Sequence, residues 1–251
     1  MTKIISIHSY RGGTGKSNTT ANIAAVLASN GLRVGIIDTD ILSPGVHVLF
    51  GLKEDDITRS LNDYLWGKCN IEDAAQDVTA RAGAGIKGKL YLVPSSMKAS
   101  DIAKVLREGY DVGLLNDGYQ RLLKELKLDV LMIDTHPGLN EETLLSIAIS
   151  DSLAIILRPD SQDYQGTAVT VSVARKLDVP KLMLIVNKAP PSLNLADVKK
   201  RVEASYGCEV AAVFPHSDEM MTLASEGIFA LRYPNHPFTE LVKTAAAKLA
   251  G

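Results

Sequence analysis

The 251-residue chain has few cysteines and no excess of either charge. Its two cysteines, Cys69 and Cys208, stand far apart and in no Cys-x-x-Cys spacing. That pattern excludes a disulfide framework and suits a reducing compartment. Lys and Arg number 27 against 29 Asp and Glu, a formal net charge of -2. No global positive field therefore draws the protein to nucleic acid, although a local basic patch stays open. No apolar run approaches the ~18 residues of a spanning helix. The opening MTKIISIHSY runs straight into an apolar strand without a cationic leader or a small-residue cleavage site. The expected location is cytoplasmic. No His, Cys and Asp group has metal-ligand spacing. Internal repeats, low-complexity tracts and linkers are missing too, so one domain over residues 1–251 is expected.

What the chain does have is alternation. KIISIH, RVGIID, KLYLVPS, DVLMID, SLAIILR, KLMLIVN and EVAAVF are short apolar runs bounded by Gly, Pro or charge, the pattern of buried strands. Between them lie helical stretches with apolar stripes, among them NTTANIAAVLASNG, DVGLLNDGYQRLLKELKL and YQGTAVTVSVARKL. Such alternation predicts an α/β fold: a mostly parallel sheet covered by helices on both faces. Ligands of such sheets sit beyond the carboxyl ends of the strands. The Gly-rich segment ARAGAGIKGK (80–89) reads as a mobile loop within the alternation.

Gly12-Gly13-Thr14-Gly15-Lys16-Ser17 follows the first strand and opens a helix, the setting a phosphate-binding loop requires. Glycines let backbone N–H groups turn toward phosphate oxygens, and the helix N-terminus adds positive potential. Lys16 would neutralise the β- and γ-phosphates, and the Ser17 hydroxyl would ligate Mg²⁺. Asn18 follows on the same helix turn and joins the nucleotide-binding set. Asp134 ends an apolar strand, where a carboxylate can hold a water on Mg²⁺. The Asn187 amide can donate to and accept from an adenine edge, but an asparagine also suits a turn ahead of Ala189-Pro190-Pro191. His136 reads as a sensor of the γ-phosphate or as a hydrogen-bonded structural imidazole, and His47 as a loop residue.

Arg11 through Ser17 resembles the deviant Walker A loop of the MinD/ParA ATPases, K-G-G-x-G-K-[TS]. Other motifs follow in that family's order. RVGIIDTDILSPG resembles the strand and switch I, DVLMIDTHPGL the Walker B strand and switch II, and LMLIVNKAP the strand whose terminal Asn reads adenine. The resemblance covers nearly the whole chain and implies a P-loop NTPase fold of the deviant Walker A type. It implies ATP and Mg²⁺ as cofactors, with Asp40 orienting the attacking water and Asp38 near the metal's water shell. An acidic residue after a strand is also a common helix cap.

The family's first motif lysine crosses a dimer interface to the partner's nucleotide, and Arg11 occupies that position. Arginine preserves the charge but is larger, planar and able to bind phosphate bidentately. The resemblance thus implies a slow, Mg-dependent ATPase that forms an ATP-sandwich homodimer, stimulated by a protein partner or cargo it positions or partitions. Arg11, Lys16 and Asp40 form the expected catalytic set. Two other readings are an ATP-dependent ligase of the dethiobiotin synthetase or cobyrinic-acid type and an iron–sulfur carrier of the Mrp type. The lone cysteines speak against the carrier. Lys199-Lys200-Arg201 and Arg175-Lys176 offer a surface for non-specific DNA. The Ala-rich ending HPFTELVKTAAAKLAG reads as a packed helix, so membrane attachment by that route is not expected.

Overall fold

The computed structural model describes residues 2–251. Eight strands form one sheet: β1 (Lys3–His8), β2 (Arg33–Asp38), β3 (Gln76–Asp77), β4 (Lys89–Val93), β5 (Val130–Asp134), β6 (Ser152–Leu157), β7 (Lys181–Ala189) and β8 (Glu209–Pro215). Their order is β3-β4-β2-β5-β1-β6-β7-β8. Every neighbouring pair is parallel except the two-residue β3, which runs antiparallel on β4. The seven strands expected from the apolar runs are all present. β3 escaped because Gln76 and Asp77 carry no apolar signal and pair only through their backbone.

Side chains alternate across the sheet, so the same strands feed two faces. Ile5, Ile7, Val34, Ile36, Met132, Ile156 and Ile185 point to the face covered by the first and last long helices. Ile4, Ile37, Leu131 and Ile133 pack under the helix Gly113–Glu125, while Leu153, Ile155 and Leu184 pack under the helices Ser161–Lys176 and Leu195–Tyr206. Helix α1 (Lys16–Ser29) is buried along most of its length because Ala21, Ala24, Ala25 and Ala28 let it lie close between the sheet and the final helix.

That final helix, Pro237–Ala250, starts at a His236 cap whose ring accepts from Phe238 N at 3.1 Å, and proline occupies its first turn. It buries Phe238, Val242, Ala245 and Leu249, and each large apolar side chain contributes roughly 2 kcal/mol. The ending is a packed helix, as its composition implies. Among the described residues no helix is long and apolar enough to cross a membrane. Segment 80–89 is anchored at its far end: Gly88 N donates to Ala28 O and Lys89 N to Leu32 O. A Cβ at Gly88 would strike the Leu32 carbonyl, so only glycine allows this approach.

From β1 the chain builds outward in both directions, toward β2 on one side and β6 on the other. The strand order therefore reverses at β1, and a crevice opens beyond its carboxyl end. The loop 9–15 lies there.

Candidate functional site

The loop between β1 and α1 turns through two left-handed glycines, Gly13 (φ 76°) and Gly15 (φ 95°). Gly15 is the cap position of α1, and no side chain caps that helix; its first turn also has no acidic residue. The helices starting after Asn140, Asp160 and Asn194 all have side-chain caps. The first N–H groups of α1 and the positive end of its dipole are thus left for an anion. Lys16 is buried, yet no carboxylate pairs with its ammonium within salt-bridge distance among the described residues. A buried cation without a partner is costly unless an anion completes it. The buried Thr14 hydroxyl and His8 Nε2 also have no partner among the described residues. The loop therefore has the donors, the charge and the open valences that a triphosphate satisfies.

Beside it, Asp134 ends β5 and accepts from Ser17 Oγ at 2.6 Å and from Thr20 Oγ1 at 2.9 Å. Burial raises its pKa, and the Lys16 charge with these two hydroxyls pulls it part of the way back. A hydroxyl and a carboxylate held this close are the oxygen donors Mg²⁺ prefers, and Ser17 with Asp134 would hold it, neutralising phosphate charge there. Thr20 carries no motif signal, but it lies one helical turn beyond Ser17 on the same face.

Asp38 sits directly across from Asp134 in the β2–β5 register. Its carboxylate accepts backbone N–H groups of Gly45, Val46 and Asp40 at 3.0, 3.2 and 3.1 Å. It thereby ties down the loop 39–46, leaving little capacity toward a metal's water shell. Burial and the neighbouring Asp134 push its pKa up. Asp40 projects from that loop, accepts from Ser43 N at 3.1 Å, and stands 3.8 Å from His136 Nε2. Burial raises its pKa, while His136 and Lys16 act in the opposite direction. The structure therefore gathers Lys16, Asp40 and His136 at the phosphate end. His47, expected in a loop, lies buried in a short helix, Val46–Leu49.

On the other side of the loop is a cavity of about 410 Å³ lined by Gly15, Asn18, Asn22, Asn187, Met221 and Phe238 among others. That volume suits a nucleoside. Asn187 Nδ2 donates to Thr14 O at 2.8 Å and its Oδ1 accepts from Lys188 N at 2.9 Å. One donor and one acceptor remain on the amide for a base edge. Asn187 is thus also a brace of the phosphate loop. Lys188, which the sequence patterns did not single out, reaches back to Gly13 O at 2.9 Å from a left-handed backbone (φ 56°).

Arg11 leaves the loop toward the helix Ser161–Lys176. Its guanidinium donates to Gln162 Oε1 and lies 3.7 Å from Asp163 Oδ1, which Arg158 also holds. The Tyr10 ring lies on Gly166 of this helix, where any Cβ would collide with it. Arg11 remains half-exposed at the edge of the crevice. The basic cluster at Arg175 is different in kind: its guanidinium caps the carbonyls of Tyr206 and Gly207 at 2.5 and 3.2 Å.

A family model described as an AAA domain matches residues 2–180. The chain is a MinD/ParA-type P-loop ATPase of that family. This ATPase is 27% identical over 248 residues to an uncharacterized ATP-binding protein of Methanocaldococcus jannaschii, covering 98% of this chain and 87% of the relative. The septum site-determining protein MinD of Synechocystis is 28% identical over 199 residues, 77% of this chain and 67% of the relative. The fold matches the septum site-determining protein MinD of Pyrococcus horikoshii, solved with Mg-ADP, at a TM-score of 0.79. That match covers 98% of this chain and 95% of the other at 23% identity.

Proposed function

We propose that the chain is a one-domain, cytoplasmic ATP-driven switch that dimerises around bound ATP to position or partition a cellular cargo. The observation that carries this reading is the position of Arg11. It departs from a phosphate loop otherwise complete in itself and stands half-exposed, available to a second copy's nucleotide. Lys16, with backbone N–H groups of Gly12, Gly13, Thr14 and Gly15, would cradle the phosphates. Ser17 and Asp134 would hold Mg²⁺, with Asp38 fixing the loop beside it. Asn18 and Asn187 would meet the nucleoside. Asp40, next to Lys16, would orient the attacking water, and Arg11 would stabilise transition-state charge from across the interface.

Contacts of Arg11 with Gln162 and Asp163 describe where the guanidinium rests within one chain, and they must exchange for phosphate in the dimer. ATPase rate and ATP-dependent association of Arg11→Ala test this directly. The proposal expects both to fall, and wild-type values in both assays would overturn it. A cargo or activating protein would act on the same switch. Non-specific DNA would meet Lys176, Lys200 and Arg201, since Arg175 is spent on carbonyls and Lys199 pairs with Glu203. The iron–sulfur reading finds no support in the cysteines. Cys69 and Cys208 are free and belong to separate core clusters.

A further inference from the structure

Asn22 lies in an apolar stretch of α1, between Ala21 and Ile23-Ala24-Ala25, and is only 1% exposed. A buried asparagine suits a helix interior poorly unless its amide is engaged. Here it is. Asn22 Oδ1 accepts from Ala230 N at 2.8 Å. Its Nδ2 donates to Asn18 O at 2.8 Å and to Asn18 Oδ1 at 2.9 Å. Ala230 belongs to the first turn of the short helix Phe229–Arg232, whose cap residue Ile228 supplies no side-chain bond. The Asn22 oxygen therefore satisfies a helix N–H that would otherwise be orphaned.

These contacts fix how both amides are turned. A backbone N–H can only donate, so the atom facing Ala230 N must be the Asn22 oxygen. The Asn22 NH₂ then faces the Asn18 carbonyl, which can only accept, and its second hydrogen requires an oxygen from the Asn18 side chain. With Oδ1 engaged in this way, the Asn18 NH₂ has no partner among the described residues. Asn18 lines the cavity of about 410 Å³ together with Gly15 and Asn187. An alternation of donor and acceptor thus runs from the Ala230 N–H to the cavity wall, and it ends on a donor. Both Asn22 hydrogens are taken, so that amide acts on a ligand through Asn18.

We propose that Asn22 is a positioning residue for the nucleotide, turning the Asn18 amide so that its Nδ2 donates to an acceptor atom of the nucleoside. This rests on the reading of the cavity as the nucleoside site. Ribose oxygens and the bare ring nitrogens of a purine are acceptors, so the donor end of Asn18 is the end that fits them. A freely turning amide would present either end. Held by Asn22, it presents the donor alone, and fixing it before the ligand arrives removes part of the ordering cost of binding. The cap on Ala230 accounts for the Asn22 oxygen only. The bond from Asn22 Nδ2 to Asn18 Oδ1 is what the positioning role explains.

Titration calorimetry of the full chain with Mg-ADP tests this, at a temperature where circular dichroism shows each variant folded. Asn18→Leu keeps the branched shape and removes the donor, and should raise Kd about fivefold, the loss of one neutral hydrogen bond. Asn22→Asp keeps the acceptor for Ala230 N but sets a second oxygen against the two Asn18 oxygens, so Asn18 turns away and Kd should rise by a similar factor. Asn22→Ala, which places no carboxylate in the core, should do the same. Adding Asn18→Leu to either Asn22 variant should cost nothing further, because all these changes remove the same bond to the ligand. Ile23→Val thins the core at the next residue and should lower Tm with Kd unchanged, which separates loosened packing from lost positioning. Wild-type Kd in a folded Asn22 variant, or losses that add in the double variants, would overturn the proposal. If Asn187→Ala weakens binding and Asn18→Leu does not, only the role of Asn18 and Asn22 fails. If neither weakens it, the reading of the cavity as the nucleoside site fails first.

Discussion

Alanine substitution of the loop glycines should separate three positions that look equivalent in sequence. Gly12 has an ordinary φ, and the nearest atom to a Cβ there is Pro137 Cγ at 4.0 Å. Gly13 is left-handed, but a Cβ would meet nothing within 4 Å. Gly15 is left-handed and its Cβ would displace the Asn187 amide, breaking the 2.8 Å bond to Thr14 O. Without nucleotide, Gly12→Ala should then change stability by less than about 0.5 kcal/mol, as an open position does. Gly13→Ala should cost about 1.5 kcal/mol, the backbone penalty of an L residue in the left-handed region. Gly15→Ala should cost about 2.5 kcal/mol, since about 1 kcal/mol for the lost hydrogen bond adds to the backbone term. At about 3 °C per kcal/mol for a chain of this size, Tm should fall by about 4 °C and about 8 °C for the last two. Circular-dichroism melts of the three variants measure this. Equal losses at Gly12 and Gly15, or a Gly15→Ala melt matching wild type, would refute the loop geometry and the bracing role of Asn187.

Three further outcomes follow from the site and its supports. Buried His8, whose ring Nδ1 lies 2.7 Å from Thr135 Oγ1, has its pKa lowered to about 3 by burial and then by Lys16 and His136. The unfolded chain binds its proton near pH 6.5, so stability is full above that and is lost as pH falls toward 3. Near pH 4.5 the loss reaches about 3 kcal/mol, at about 1.4 kcal/mol per pH unit, and denaturant titrations of His8→Gln should show a shallower acid slope. Phe238→Ala removes a ring packed on Phe214 and Phe229 at centroid distances of 4.9 and 5.4 Å, and should cost about 3–5 kcal/mol. Because Phe238 also lines the cavity, calorimetry at a temperature where the variant stays folded should show weaker nucleotide binding. Ser17→Ala, or chelation of Mg²⁺, should slow hydrolysis by two orders of magnitude or more, on the order of the loss of one preorganised charge-stabilising group. Equal activity with and without chelator would remove Ser17 and Asp134 from the metal role.

The sheet was readable because strands buried on both faces are continuous apolar runs, and seven of them are spelled out. Only β3, two polar residues paired through the backbone, left no trace. The phosphate loop was equally legible, since its glycines, Lys16 and Ser17 are fixed by local geometry. Asp38 was harder. Its position after β2 announces a carboxylate at the strand end, but nothing in RVGIIDTD says that Gly45, Val46 and Asp40 will occupy it. Asn187 likewise reveals a polar strand end and hides its bond to Thr14, 173 residues away. Asn22 was invisible. It reads as one polar residue in an Ala-rich helix, and only the folded packing shows its bond to Ala230, 208 residues away. Lys188 and Thr20 fall between these cases, each adjacent in sequence or helix face to a residue that the motifs named.

Mass in solution tests the central claim most directly. Size-exclusion chromatography with light scattering should be run on the full chain with Mg-ADP and with Mg²⁺ and a slowly hydrolysed ATP analogue. With ADP the protein should elute as one 27.0 kDa chain. With the analogue it should shift to the mass of two chains, and Arg11→Ala should reduce that shift. A single-chain mass under both nucleotides would contradict the ATP-sandwich switch.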